Sequence, residues 1–591
     1  MPRTMDFAYS PATNSERSNE SMERIAWLRS QLIGSSLEFD TPFGDRLLTY
    51  ADHTASGRCL HYIEDYIIQE ALPIYGNTHT EDSFVGSKTT RMAHKASDYI
   101  KQCLGGKLDD VLIFCGSGSS AAIKRLQEVM AIAVPSIMRE KVLQSMGDEE
   151  RWVVFVGPYE HHSNLLSWRQ STADVVEIGI DENGLLDMEE LKTKITSPEY
   201  ANRPLLGSFS ACSNVTGMFT DTRALARLLH QHGAFACFDF AASGPYVEID
   251  MRSGDIEGYD AIFLSPHKFV GGPGTPGILL MNKALYQLRS SPPSTCGGGT
   301  VAYVNGFNEK DTLYYEDIEE REDSGTPPII PKIRAALAFW VKEYVGHELI
   351  SQREHVYAKA ALRRLTSNPR IVVLGNTQLD RLPIFSFLLF PGSNAREEMK
   401  PLHGRFVAML LNDLFGIQSR GGCACAGPYG HHLLGVDKVL SLRIRSVIEE
   451  GYNGLKPGWT RISFSYYSSD EEFEFILAAI EFIAAYGHRF LALYQFDWAT
   501  GDWTFRKRAF KQHHMMNGNI TLASSDLFLE KSKPTNANAG RKGEKNSMEI
   551  DPARRFESYL ENAKMVALSL PNNYHSSIPQ GVDPSIILFR I

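Results

Sequence analysis

The chain predicts an α/β protein: a large domain on a mostly parallel sheet, followed by a smaller α+β domain. Three observations carry this. Between about residues 108 and 282, short apolar β-branched runs alternate with helical patterns. These runs are apolar on both faces, as strands covered by helices on each side must be. A polar cluster follows the end of most of them, where ligands bind in such sheets.

The elements follow in order. Residues 1–43 open with MPRTMDFAYSPATNSERSNESMERIAW, which lacks an apolar signal core and carries Glu16, Glu20 and Glu23, so we expect a disordered N-terminal arm without a secretory or organellar address. Strands are expected at VLIF (111–114), VVFVG (153–157), LLGSFS (205–210), FACFDF (235–240), AIFLS (261–265) and GILLM (277–281), within a large domain over 44–330. The clusters GSGSS, EHHSN, SNVTG, FDFAAS and SPHK then gather on one crevice. The small domain, over 331–490, combines the helix IRAALAFWVKEYV, the strand-like runs IVVLG, LPIFSFLLF and RISFSYYS, and a closing helix from Asp470. A C-terminal extension over 491–591 contains a linker at 530–549, too poor in apolar residues to order itself. After it comes one helix, capped by Asp551 with Pro552 in its first turn and striped by Phe556, Tyr559, Leu560, Ala563 and Ala567.

Composition narrows the function. With 43% hydrophobic and 22% charged residues the chain is globular, and 591 residues allow roughly three or four folding units. Sixty basic against 70 acidic residues leave a net charge of −10, which provides no field for nucleic acid or an anionic membrane surface. The run FILAAIEFIAAYGHRFLALY is interrupted by Glu481, His488 and Arg489, so it suits a buried helix better than a membrane span. Eight scattered cysteines without a CxxC pair fit a reducing compartment, and a cytoplasmic location is the default expectation.

The strongest chemical signal is AIFLSPHKFVGGPGTPG, in which Lys268 follows an apolar strand and precedes a glycine-rich turn. A lysine at a strand end inside an α/β crevice suits a Schiff-base amine, because burial lowers its pKa and frees its lone pair for an aldehyde. Alone, such a lysine is more often a solvated loop residue. Asp239, at the end of FACFDF about thirty residues earlier, changes the balance: a carboxylate there needs a cationic partner, and a protonated pyridine nitrogen is one. The bland alternative is a helix cap. GSGSS at 116–120 opens a helix, so the backbone N–H groups of Ser119 and Ser120 can cradle a phosphate, although Gly-Ser turns are also common linkers. His161 of EHHSN is suited to lie against an aromatic ring and to exchange protons near neutral pH.

These residues and their order resemble a known family, the fold-type I, pyridoxal-phosphate-dependent class V aminotransferases, and among them the cysteine desulfurases and selenocysteine lyases. EHHSNLLSW, SNVTG, the Asp of FDFAAS, SPHK with GGPGTPG, the GGGT run at 297–300 and the GTP of DSGTPP occur at family spacing over about residues 44–487. The resemblance implies a seven-stranded-type sheet and a pyridoxal 5'-phosphate cofactor. Lys268 would be joined to the cofactor, Asp239 would pair with the pyridine nitrogen and His161 would stack on the ring. Ser119, Ser120, Ser265 and His267 would hold the phosphate, Asn214 would lie near the cofactor O3′ and the substrate carboxylate, and Thr300 would reach the phosphate across a homodimer interface. Arg461 in WTRISFSYY matches the arginine that clamps an amino-acid carboxylate; from the residues alone, an arginine on an edge strand is the plainer reading.

SRGGCACAGP matches the desulfurase loop RxGxxCAxP and implies that Cys425 is the sulfur-accepting nucleophile, which would pass a persulfide to an acceptor protein or a small thiol. Independently of any family, a cysteine among small residues on an open segment beside Arg420 is placed for thiolate reactivity. A zinc site from Cys423, Cys425, His431 and His432 has a spacing foreign to structural zinc motifs, and no metal is expected. Three departures bear on the substrate: Ala242 stands where desulfurases place a glutamine, Tyr467–Ser468 replaces a tyrosine–asparagine pair, and the C-terminal extension has no counterpart in ordinary desulfurases. An epimerase, aminotransferase or lyase of the same fold therefore remains the alternative. The substrate side chain is expected near His79 and Thr80.

Overall fold

The computed structural model describes residues 14–391, 400–511, 551–572, 574 and 577–591. Its central sheet has seven strands: β1 (Asp110–Cys115), β2 (Val153–Val156), β3 (Asp174–Glu177), β4 (Leu205–Ser210), β5 (Phe235–Asp239), β6 (Ala261–Leu264) and β7 (Gly277–Asn282). Their spatial order is β1-β7-β6-β5-β4-β2-β3, and all are parallel except β7, which is antiparallel to both β1 and β6. Strands β2, β4 and β6 are buried at every position, as runs apolar on both faces require. Strand β3, DVVE, is a partly exposed edge whose acidic ends hid it from the pattern reading.

The first helix, α1 (Asn14–Ser30), corrects the expectation of a disordered arm. Ile25 and Leu28 are buried, and Trp27 packs edge-on against Trp340 and Tyr344. A few apolar residues in a mostly polar helix become a stable face only when a second helix is present to receive them. Helices α2 (Phe84–Cys103), α3 (Gly118–Val129) and α4 (Ser163–Arg169) belong to the large domain. The next helix, α5 (Ile329–Val345), expected to open the small domain, lies on α2 and adds Ala335, Ala338 and Phe339 to the large-domain core.

The small domain holds α6 (His347–Ser367), α7 (Gly404–Phe415), α8 (Gly427–Leu433), α9 (Lys438–Glu449) and α10 (Asp470–Tyr486) around four strands. These are β8 (Ile371–Val373), β9 (Ile384–Leu389), β10 (Arg420–Gly422) and β11 (Trp459–Ser463), in the antiparallel order β8-β9-β11-β10. An N-terminal segment joins this domain too: Thr49–Tyr50 pairs in parallel with Ile417–Gln418, and Asp52 bridges to Ser463. That pairing brings Asp52 to the seam between the domains.

The segment Asp470–Leu493 is long and apolar enough to cross a membrane by length and composition, but 61% of its most apolar window is buried in the protein, and Leu477, Ile480 and Ile483 have no exposed surface. The last helix, α11 (Pro552–Ser569), begins as expected, with the Asp551 side chain accepting from the Ala553 N–H. It docks on α10 through Phe556, Tyr559, Ala563 and Ala567, the Phe556 ring stacked on Phe475 at 4.0 Å. Phe556→Ala is expected to cost about 3 kcal/mol of small-domain stability, read as a lower denaturation midpoint. The expected linker at 530–549 lies outside the described residues.

Candidate active site

The C-terminal ends of β1, β2, β4, β5 and β6 open into one cavity of about 230 Å3. Ser119, Ser120, His161, Asn214, Asp239, Ser265, His267, Lys268, Cys425 and Arg461 all line it. The five polar clusters therefore converge, because parallel strands deliver their C-terminal loops to one edge of the sheet. Thr300 is not among the lining residues; it is fully buried elsewhere, its hydroxyl donating to Gly297 O at 2.8 Å. His79 and Thr80 also depart from expectation, since they border a separate cavity of about 480 Å3 together with Gly299.

Lys268 is partly buried at the cavity wall, and desolvation lowers its pKa to about 8 despite the opposing attraction of Asp239; Arg461 and Arg420 push the same way as burial. Burial raises the pKa of Asp239, offset in part by the Ala241 N–H, which donates to Oδ1 at 2.9 Å, and by Lys268. An amine with a usual value of 10.5 thus holds a substantial neutral fraction near physiological pH. The sign for stability follows. Between about pH 8 and 10.5 the unfolded lysine keeps its proton while the folded one has lost it, so stability from this group rises with pH across that window. Correspondingly, aldehyde condensation at Lys268 in the cofactor-free protein should have its midpoint near pH 8, measured by absorbance on adding pyridoxal phosphate.

His161 is held neutral, its pKa lowered to about 4 by burial first and then by Lys268, His162, Arg420 and Arg461. The Ser163 backbone N–H donates to its Nδ1 at 3.1 Å, so the ring proton resides on Nε2. Behind it lies Glu160, which the motif reading left without a role. Its buried carboxylate accepts from the Ser210 N–H and hydroxyl and from Asn164 Nδ2 at 2.8, 2.6 and 2.7 Å, pinning the histidine loop to the end of β4.

Arg461 is interior rather than an edge-strand surface residue: β11 lies between β9 and β10. Its guanidinium donates to Asp52 Oδ1 at 2.9 Å and to Asn214 O at 3.0 Å, while its buried Nε has no partner. Asp52, 409 residues away in sequence, gave no sequence signal for this pairing. Arg420 also lines the cavity, directly opposite Arg461 in the β10–β11 register. Ala242 lines it as well, whereas Tyr467 lies outside and bonds His53.

The donors fit a phosphorylated aldehyde cofactor. Helix α3 starts at Gly118, whose φ of +61° suits glycine, and a Cβ there would stand 2.9 Å from Ser265 Oγ and from His267 Cε1, closing the cradle. That cradle faces the helix N-terminus, where an anion is favoured. Within the same cavity are a partly buried amine and a buried carboxylate.

A parallel sheet with an amine after β6 and a carboxylate ending β5 is the fold-type I architecture of pyridoxal-phosphate-dependent enzymes. The sequence profile described as Aminotransferase class-V matches residues 49–476, and the chain belongs to that family. It is 25% identical to a probable cysteine desulfurase of Halalkalibacterium halodurans, over 64% of this chain and 84% of that one. With a probable cysteine desulfurase of Pyrococcus abyssi it shares 24% identity over 76% of this chain and 97% of the other. Among solved structures it resembles an apo cysteine desulfurase from Thermococcus onnurineus NA1, at a TM-score of 0.57 and 23% identity, covering 74% and 94% of the two chains. The cysteine desulfurase CsdA of Escherichia coli gives a TM-score of 0.56 at 19% identity, covering 77% and 97%.

Proposed function

We propose that this protein binds pyridoxal 5'-phosphate and transfers sulfur from L-cysteine or a close relative to Cys425. The observation that carries the reading is that Cys425 and Lys268 border one cavity, with Arg461 beside them. When bound, the cofactor withdraws electrons from the substrate Cα. Lys268, neutral in a useful fraction near pH 8, takes and returns the Cα proton. Asp239 would hold a proton on the ring nitrogen. His161, with its proton on Nε2, would face the bound ring and serve the departing sulfur. Arg461 clamps the carboxylate with Asn214 alongside, and Ser119, Ser120, Ser265 and His267 hold the phosphate. The assembly proposed is a homodimer, and Thr300, buried in its own chain, would reach the partner subunit's cradle only on leaving its bond to Gly297 O.

The overall exchange balances: cysteine plus the enzyme thiol yields alanine plus an enzyme persulfide. An acceptor protein or small thiol then removes the outer sulfur, in the reducing cytoplasm. Cys425→Ala is expected to lower persulfide formation by at least ~100-fold while leaving cofactor absorbance intact, checked by persulfide transferred to an added small thiol, with mass spectrometry locating the added sulfur on Cys425 in the wild type. Persulfide output at the wild-type level would refute the reading.

Ala242 supports a second reading, an epimerase, aminotransferase or lyase without sulfur transfer, because it removes the amide that desulfurases supply beside the ring. Racemisation or transamination of another amino acid, with neither alanine nor sulfur from cysteine, would establish it.

A further inference from the structure

The segment that carries Cys425 is held in a conformation its own residues disfavour. Ala424 and Cys425 have φ of +52° and +58°, in the left-handed region, with one residue between them and Gly422 at +122°. L-residues stay there only when surrounding groups over-determine the backbone. Two side chains from the large domain supply that restraint. Asn214 Nδ2 donates to Ala424 O at 2.8 Å. His162 holds the chain just after the cysteine at two points: its backbone N–H donates to Cys425 O at 2.9 Å, and its ring Nε2 accepts from the Gly427 N–H at 2.8 Å. Asn214 lines the cavity, so a bound molecule competes for its amide, whereas His162 does not line it.

We propose that His162 is a positioning residue that fixes the backbone of the Cys425 segment through its ring Nε2. The Gly427 N–H can only donate, so the neutral ring carries its proton on Nδ1, the opposite tautomer to His161. Burial and the Arg169 guanidinium lower the pKa of His162, which keeps Nε2 available as an acceptor. The inference deepens the sulfur-transfer reading and rests on it, since a thiol that receives sulfur must be presented to the cavity and afterwards leave it.

The test uses the full chain without added cofactor and measures iodoacetamide alkylation of the Cys425 peptide by mass spectrometry. His162→Phe keeps a ring but offers no acceptor, and is expected to raise the alkylation rate about tenfold, as expected from losing one restraining hydrogen bond. His162→Gln restores an acceptor at similar reach and should stay within about twofold of wild type. In the loaded enzyme, His162→Phe should lower kcat for persulfide formation while KM for cysteine is unchanged. Should His162→Phe not fold, His162→Leu replaces it. Alkylation by the acceptor-free variant at the wild-type rate, or equal acceleration in the glutamine variant, overturns the proposal. Failure of the sulfur-transfer reading is separate: Cys425→Ala would then retain persulfide output while the alkylation comparison still stands.

Discussion

Lys268→Ala protein is expected to show no visible absorbance band from covalently held cofactor and a turnover reduced at least ~1000-fold. Two losses combine. Without the amine no carbon–nitrogen bond to the aldehyde forms, and without the base no side chain remains at the Cα proton, a contribution of ~10²–10⁴ by itself. The protein should still fold, because a partly buried lysine whose pKa has fallen to about 8 is a cost to the cofactor-free fold rather than a support. Asp239 would then rest on the Ala241 N–H, its carboxyl raised further because the Lys268 charge no longer offsets burial. Absorbance spectra, steady-state kinetics and a melting curve check the three parts. Turnover within tenfold of wild type would remove the lysine from the chemistry.

Arg461→Ala is expected to have the second-largest effect, and it divides into two measurable parts. Removing the guanidinium leaves Asp52 without its partner in a region where the arginine is 3% exposed, a type of loss that costs about 3–5 kcal/mol. It also removes the charged fork proposed to hold the substrate carboxylate, so KM for the amino acid should rise about 100-fold. Arg461→Lys separates the parts. A lysine retains the charge opposite Asp52 and restores most of the stability, but a point charge cannot reproduce the planar fork, so KM stays high. A lysine variant with wild-type KM would contradict the assignment of the carboxylate to this arginine.

The legibility of the site was uneven for physical reasons. Lys268, Asp239, His161, Asn214 and the Ser119–Ser120 cradle each lie at or just beyond a strand end, so the alternation of strands and helices already placed them on one sheet edge. Glu160 opens the run EHHSN, yet its function as an anchor depends on Ser210, fifty residues later, and no local pattern encodes that contact. Asp52 depended on a two-residue strand joining the small domain, too short to leave a periodic signal. Helix α1 leaves no periodic signal because its few apolar residues acquire a face only against Trp340 and Tyr344. The antiparallel direction of β7 was likewise invisible, since GILLM is equally apolar read either way.

What the sequence determined by itself was the class of fold and the chemistry of its strand-end residues, because burial pattern and side-chain type are local properties. Only tertiary structure decided which distant groups face each other: Asp52 on Arg461, Arg420 opposite it, and Asn214 and His162 on the backbone before and after Cys425. Those pairings arise where two separately cored domains meet, and the contacts of such a seam are set by packing geometry, which no residue carries alone.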